Sequence, residues 1–150
     1  ILIRRLAPRL SGLEIQCGMS FYATLILGAG LTVGAGLGWF SWAALAAHPA
    51  VRALRYPGLP GDPAHNLAAR QMTRPGLLIG LDLKDAETAE RFIDTCPLLQ
   101  PATSFGGVHS SAERRARWGD AVAPGFVRLS VGIEPAEALW DALKASLDAL

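Results

Sequence analysis

The sequence predicts an α+β domain with about four strands, covered by helices mainly on one side and preceded by a segment of a different character. Two observations carry this. Four short apolar runs of strand type, at 51–56, 77–83, 98–104 and 126–133, alternate with stretches that show helix caps and helical apolar spacing. The charge pattern also divides the chain, because no Asp, Glu, Lys or Arg occurs from Ile15 to Val51, whereas both signs are mixed beyond it. We place the boundary between an apolar, glycine-rich segment at 1–45 and a domain at 46–150. The whole chain of 150 residues and 15.9 kDa is long enough to bury one sizeable core.

In the first segment, Arg4, Arg5, Arg9 and Glu14 precede the apolar run, and Pro8 and Gly12 interrupt any long helix. Residues 21–47 exceed the roughly 20 apolar residues needed to cross a bilayer. The arginines before that run and Trp39 and Trp42 near its end suit an anchored helix. Gly28, Gly30, Gly34, Gly36 and Gly38 make it a poor helix in water. Two readings follow: a membrane anchor, or an apolar segment packed on the domain. A secretory signal peptide is excluded by length, glycine content and the lack of a clear cleavage site. A dinucleotide loop is excluded because Gly28-x-Gly30-x-x-x-Gly34 misses the fingerprint and no acidic residue follows at ribose-binding distance. The first residue, Ile1, is not Met, which points to a fragment or a processed end.

The domain then reads in order. Residues 43–47 end a helix stopped by His48-Pro49, and 51–56 form a short strand before the turn 57–61. Asp62 as N-cap and Pro63 at N1 open a helix to about Met72. After Gly76 comes the strand 77–83. Asp85 caps a helix whose Ala89, Phe92 and Ile93 form an apolar stripe, ended by Pro97. The strand 98–104 runs into Gly106-Gly107, where paired glycines permit a tight turn and close approach of backbone. Ser110-Ser111-Ala112-Glu113 fits a capping box, so a short helix is expected to Trp118, with Gly119 in the left-handed position after it. The strand 126–133 places Val127, Leu129, Val131 and Ile133 on a core face and Phe126, Arg128, Ser130 and Gly132 on the other. Pro135 at N1 starts a last helix with Leu139, Trp140, Leu143, Leu147 and Leu150 on one side.

Few chemistries survive this reading. A net charge of +1 without a basic tract excludes a nucleic-acid surface. Cys17 and Cys96 match neither a metal spacing nor a CxxC motif, so both read as small apolar residues or incidental thiols, and no metal site is expected. The three histidines, His48, His65 and His109, carry no catalytic pattern. Arg128 stands out, since a guanidinium in mid-strand shares its face with a small hydroxyl and a glycine. It either pairs with a surface carboxylate or holds an anion through its planar fork.

Ser104-Phe105-Gly106-Gly107, followed by residues 126–134 (FVRLSVGIE), resembles the C-terminal end of the Cys/Met-metabolism, or trans-sulfuration, PLP-dependent enzymes. Residues 56–60 (YPGLP) and 69–72 (ARQM) match upstream motifs of that family in order, and 112–119 (AERRARWG) looks most like its cystathionine γ-lyase branch. The resemblance covers roughly 48–150. It implies the small C-terminal domain of the fold type I architecture and a cytoplasmic enzyme of methionine and cysteine metabolism, with a membrane-anchored location as the alternative that 21–47 allows. It also implies pyridoxal 5′-phosphate held as a Schiff base to a lysine in a domain that this chain lacks, where the cofactor acts as the electron sink. Only Lys84 and Lys144 occur here, and neither fits the family's lysine motif; no residue of this chain is expected to be catalytic. Arg128 matches the arginine that grips the substrate α-carboxylate, Ser104 the serine of the Ser-x-Gly-Gly loop, and Gly106 and Gly107 its glycines. Thr103 stands where many members carry a glutamate, which leaves the β- versus γ-specificity open, and His109 also replaces a common glutamate. Residues 1–45 depart from the charged amphipathic helix that the family has there. The implied partners are a sulfur-containing amino acid and a PLP-binding domain or second subunit. The alternative is an inactive membrane-tethered or interaction module derived from such a domain.

Overall fold

The computed structural model describes residues 42–150. Helix α1 (Trp42–Ala46) leads into β1 (Ala53–Arg55), α2 (His65–Gln71), β2 (Leu78–Asp82), α3 (Ala86–Thr95), β3 (Gln100–Pro101) and β4 (Ser111–Arg114). A 3-10 turn (Arg115–Trp118), β5 (Phe126–Ser130) and α4 (Ala136–Asp148) complete the order. The strands form one mixed sheet in the order β1-β2-β5-β4-β3, antiparallel except for the β3–β4 pair.

Alternation sets which face is covered. Ile79 pairs with Leu129, Leu81 with Val127 and Ala112 with Leu129, so these side chains share one face of the sheet. All five are essentially excluded from solvent, as are Leu45 of α1, Ala89, Phe92 and Ile93 of α3, and Leu139, Leu143 and Leu147 of α4, which pack with them in one core. Asp85 caps α3 as expected, its carboxylate accepting from Thr88 N at 2.9 Å and Thr88 Oγ1 at 2.7 Å. These bonds favour the ionised form and hold the Asp85 carboxyl below its ordinary range. At the other end of the core, His48 Nδ1 accepts from Ala50 N, so Nε2 carries the proton that it donates to Asp148 Oδ1 at 3.0 Å. That bond ties the start of the domain to its last helix.

Four expectations need correction. The sheet has five strands rather than about four, because 111–114 is a strand and not the first turn of a helix. Ser110 is engaged elsewhere and cannot cap, and the ladder with β5 outweighs a local capping pattern. Only the 3-10 turn that follows and the left-handed Gly119 (φ 84°) remain of the expected helix. The helix expected from Asp62 begins at His65, because the Asp62 carboxylate accepts from Tyr56 N and Ala64 N, both at 2.8 Å, and closes a turn instead. The strand expected over 98–104 contracts to Gln100–Pro101, an edge position where a proline without an N–H is tolerated. Pro135 stands one position earlier than expected, at the N-cap of α4.

No helix among the described residues is long and apolar enough to cross a membrane. Most of the apolar run 21–47, the glycine motifs at 28–37 and Cys17 lie outside the described residues. Cys96 is a buried free thiol.

Candidate functional site

The face of the sheet opposite the core carries a cross-strand row. Arg55 pairs with Gly80, Gly80 with Arg128, and Arg128 with Glu113, so these four positions follow one another across β1, β2, β5 and β4. Gly80 offers no side chain, and the Phe126 ring takes that space: a Cβ on Gly80 would lie 2.8 Å from Phe126 Cε2 and Cζ. Glu113 is buried, but it does not pair with Arg128. Its Oε1 instead accepts from Trp118 Nε1 at 2.9 Å and lies 3.6 Å from Arg117 Nη1. Among the described residues Arg128 forms no ion pair with a carboxylate. The surface-pair reading of this arginine therefore finds no support in the geometry.

Burial pushes the Arg128 guanidinium down from its ordinary pKa, the neighbouring Arg115 acts in the same direction, and Glu113 and Asp120 oppose them. An arginine stays charged under such a shift. The site is therefore a partly buried, permanent cation.

A loop crosses this cation. Arg128 Nη2 donates to the Thr103 carbonyl, the Phe105 ring lies 4.9 Å from the guanidinium carbon, and Gly106 N donates to Ser130 Oγ at 3.0 Å. Ser130 is two residues from Arg128 on the same face, so one strand anchors the loop at two points. Gly106 takes φ +78°, a left-handed conformation that a side chain resists, whereas Gly107 has no positive φ and a Cβ there would make only an ordinary contact with the His109 carbonyl at 4.0 Å. The end of the loop is fixed by a buried clip. Ser110 donates through N and Oγ to the two Glu134 carboxylate oxygens at 2.7 and 2.8 Å, and Ser110 Oγ accepts from Gly132 N at 2.9 Å. A Cβ on Gly132 would lie 2.5 Å from the Val108 carbonyl, so the close approach of the loop requires glycine there.

The structure thus brings Arg128, Thr103, Ser104, Gly106 and Gly107 into one place. Thr103 contributes its carbonyl, and Ser104 accepts weakly from Ser111 Oγ through its own carbonyl at 3.4 Å, with its side chain exposed. Sequence reasoning missed Phe105, Ser130 and the Ser110–Glu134 clip. The alternation of β5 could have pointed to Ser130, because it already put Arg128 and Ser130 on one face. Nothing local signalled the other two. His109 is exposed with its Nδ1 4.0 Å from Glu134, whereas His65 Nδ1 meets the Pro57 carbonyl at 2.8 Å and so helps to hold the turn before it.

The sequence model of the family described as "Cys/Met metabolism PLP-dependent enzyme" matches residues 42–148. A candidate cystathionine gamma-lyase of Streptomyces coelicolor is 52% identical over 104 residues, which make up 68% of this chain and 26% of that protein. An L-methionine gamma-lyase of Brevibacterium sandarakinum is 39% identical, covering 70% of this chain and 29% of its own length. The crystal structure of cystathionine gamma synthase from Xanthomonas oryzae in complex with cystathionine superposes with a TM-score of 0.64 at 34% identity, over 71% of this chain and 31% of that one. The chain therefore spans between a quarter and a third of the length of these relatives.

Proposed function

The chain belongs to the Cys/Met metabolism PLP-dependent enzyme family, and from that premise we propose that residues 46–150 are the C-terminal, substrate-carboxylate-binding part of a trans-sulfuration enzyme. On this reading, the enzyme eliminates or replaces the side chain of a sulfur-containing amino acid, in the manner of cystathionine γ-lyase or γ-synthase. The observation that supports it best is Arg128: a partly buried cation on the non-core face, without a carboxylate partner among the described residues and held in place by a loop of the family's Ser-x-Gly-Gly type. A planar fork suits an α-carboxylate because two parallel hydrogen bonds set its angle as well as its position. Fixing that angle holds the substrate in the geometry for reaction.

The lysines of this chain do not fit a Schiff-base role for the family's cofactor. Lys84 is 73% exposed at 4.0 Å from Asp85, and Lys144 is half exposed on α4 with Asp148. We therefore assign this chain the carboxylate side alone, with pyridoxal phosphate held on a lysine elsewhere in the enzyme or its oligomer. The alternative of an inactive tethered or interaction module has no observation in its favour among the described residues.

The test joins residues 42–150 to the PLP-bearing part of the Streptomyces coelicolor relative and compares wild type with Arg128→Lys. Lysine keeps the charge and loses the fork, so kcat/KM for cystathionine should fall about ten- to a hundred-fold, the equivalent of about 1.5–3 kcal/mol for a charge-assisted hydrogen bond. Cofactor absorbance should be unchanged. Full activity in the variant would show Arg128 to be a structural residue.

A further inference from the structure

We infer that Phe105 is a positioning residue for Arg128, holding the guanidinium flat in the orientation that receives a carboxylate. The inference rests on the proposed function for its purpose, but its geometry stands apart from it. Phe105 is 58% exposed, although an aromatic ring of its size ordinarily gains by burial. It does not join the core. It lies over the guanidinium with 4.9 Å between ring centre and Cζ, within the range at which a cation and a ring face attract.

The attachments on either side of the ring explain how it stays there. Thr103, two residues before Phe105, accepts from Arg128 Nη2 through its carbonyl, and Gly106, directly after it, donates to Ser130 Oγ. The ring is thus suspended between two hydrogen bonds to the same strand. Gly106 makes the reversal possible with its left-handed φ of +78°.

A guanidinium has five N–H donors and two faces. The loop occupies one donor through Thr103 and sets the Phe105 ring against the cation, which leaves further donors of the fork to meet a carboxylate. A long arginine side chain otherwise samples many rotamers, and ordering it on binding weakens affinity. Stacking under Phe105 removes part of that freedom in advance. Leucine at this position would keep apolar bulk but lose the ring face, whereas tyrosine would keep both.

The experiment uses the full 150-residue chain and the side-chain Nε–Hε signal of Arg128 in NMR, with the exposed Arg52 as reference for non-specific effects. Acetate is the probe. Phe105→Leu should lower the order parameter of the Arg128 signal and weaken acetate binding about two- to fivefold. Phe105→Tyr should restore both. Because the ring is exposed, the melting temperature should hardly move in either variant.

An unchanged Arg128 order parameter in Phe105→Leu would overturn the role of Phe105. So would a loss of order that Phe105→Tyr fails to rescue, or a loss of order without weaker acetate binding. A wild-type chain in which acetate shifts Arg128 no more than Arg52 would instead overturn the carboxylate reading itself. The order parameters distinguish that failure from a failure of the stacking role.

Discussion

The two faces of β5 are built from alternate residues of one short strand, yet they answer to different demands. Val127 and Leu129 are wholly buried between the neighbouring strands and the helices, where their value lies in area removed from water and close packing. Arg128 and Ser130 face the other way and bind a loop instead of a core. A change on the first face should be felt as stability, and a change at Arg128 as binding. The strand thus lets the site vary without unfolding its support.

Leu129→Ala should show the larger side of this contrast. Its side chain is completely enclosed among Ile79, Ala112 and the helices, so the loss should be about 2–5 kcal/mol, read as a shift in the urea midpoint at unchanged slope. Arg128→Lys, one residue away, should leave the same midpoint almost where it was. Equal destabilisation by the two variants would erase the distinction between the faces.

Gly132→Ala probes the point at which both demands meet. It lies just beyond β5, and the added Cβ would press on the Val108 carbonyl at 2.5 Å and on Glu134 Oε2 at 2.6 Å. We expect a loss of about 1–3 kcal/mol by denaturation. Because the strained atoms belong to the loop that ends in the Ser110 clip, the Arg128 side-chain NMR signal should shift as well. A variant that loses stability while the Arg128 signal stays in place would show the clip and the cation to be independent.

The smallest effect is expected from pH, and it acts through the helix that covers the core face. The Asp85 carboxyl has a lowered pKa in the folded chain, chiefly through its bond from Thr88 N and then that from Thr88 Oγ1. A depressed carboxyl contributes stability above its unfolded value of about 3.9 and loses it as pH falls through the folded value. The melting temperature should therefore slope downward below about pH 4, and Asp85→Asn should flatten part of that slope while changing little at neutral pH. An identical slope in the variant would assign the acid sensitivity to other carboxylates, Asp148 among them.

Much of the covered layer could be read locally. The alternation at 126–130, the cap at Asp85 and the stripe of Ala89, Phe92 and Ile93 depend on residues a few positions apart, and the structure keeps each of them; the strand stops short of 133, and Ile133, expected on the core face, is exposed. The same alternation put Arg128 on the face away from the core, but the residues alone left it open between a surface pair and an anion clamp, and the family motif around it supplied the second reading. Two of the misplaced helix starts failed at residues whose side chains found partners outside the expected helix. Ser110 bonds Glu134 and Gly132, more than twenty residues away, and Asp62 reaches back to Tyr56.

By itself, then, the sequence determined the α+β class and the core face of β5, because periodicity, caps and glycines act over one or two turns of chain. Only the tertiary structure decided that 111–114 is a strand of the sheet, since a ladder forms when β5 arrives beside it and not before. It also decided that Phe105 rests on Arg128. The two are 23 positions apart, and no rule of spacing brings a ring to a guanidinium; the hydrogen bonds of Thr103 and Gly106 to β5 do.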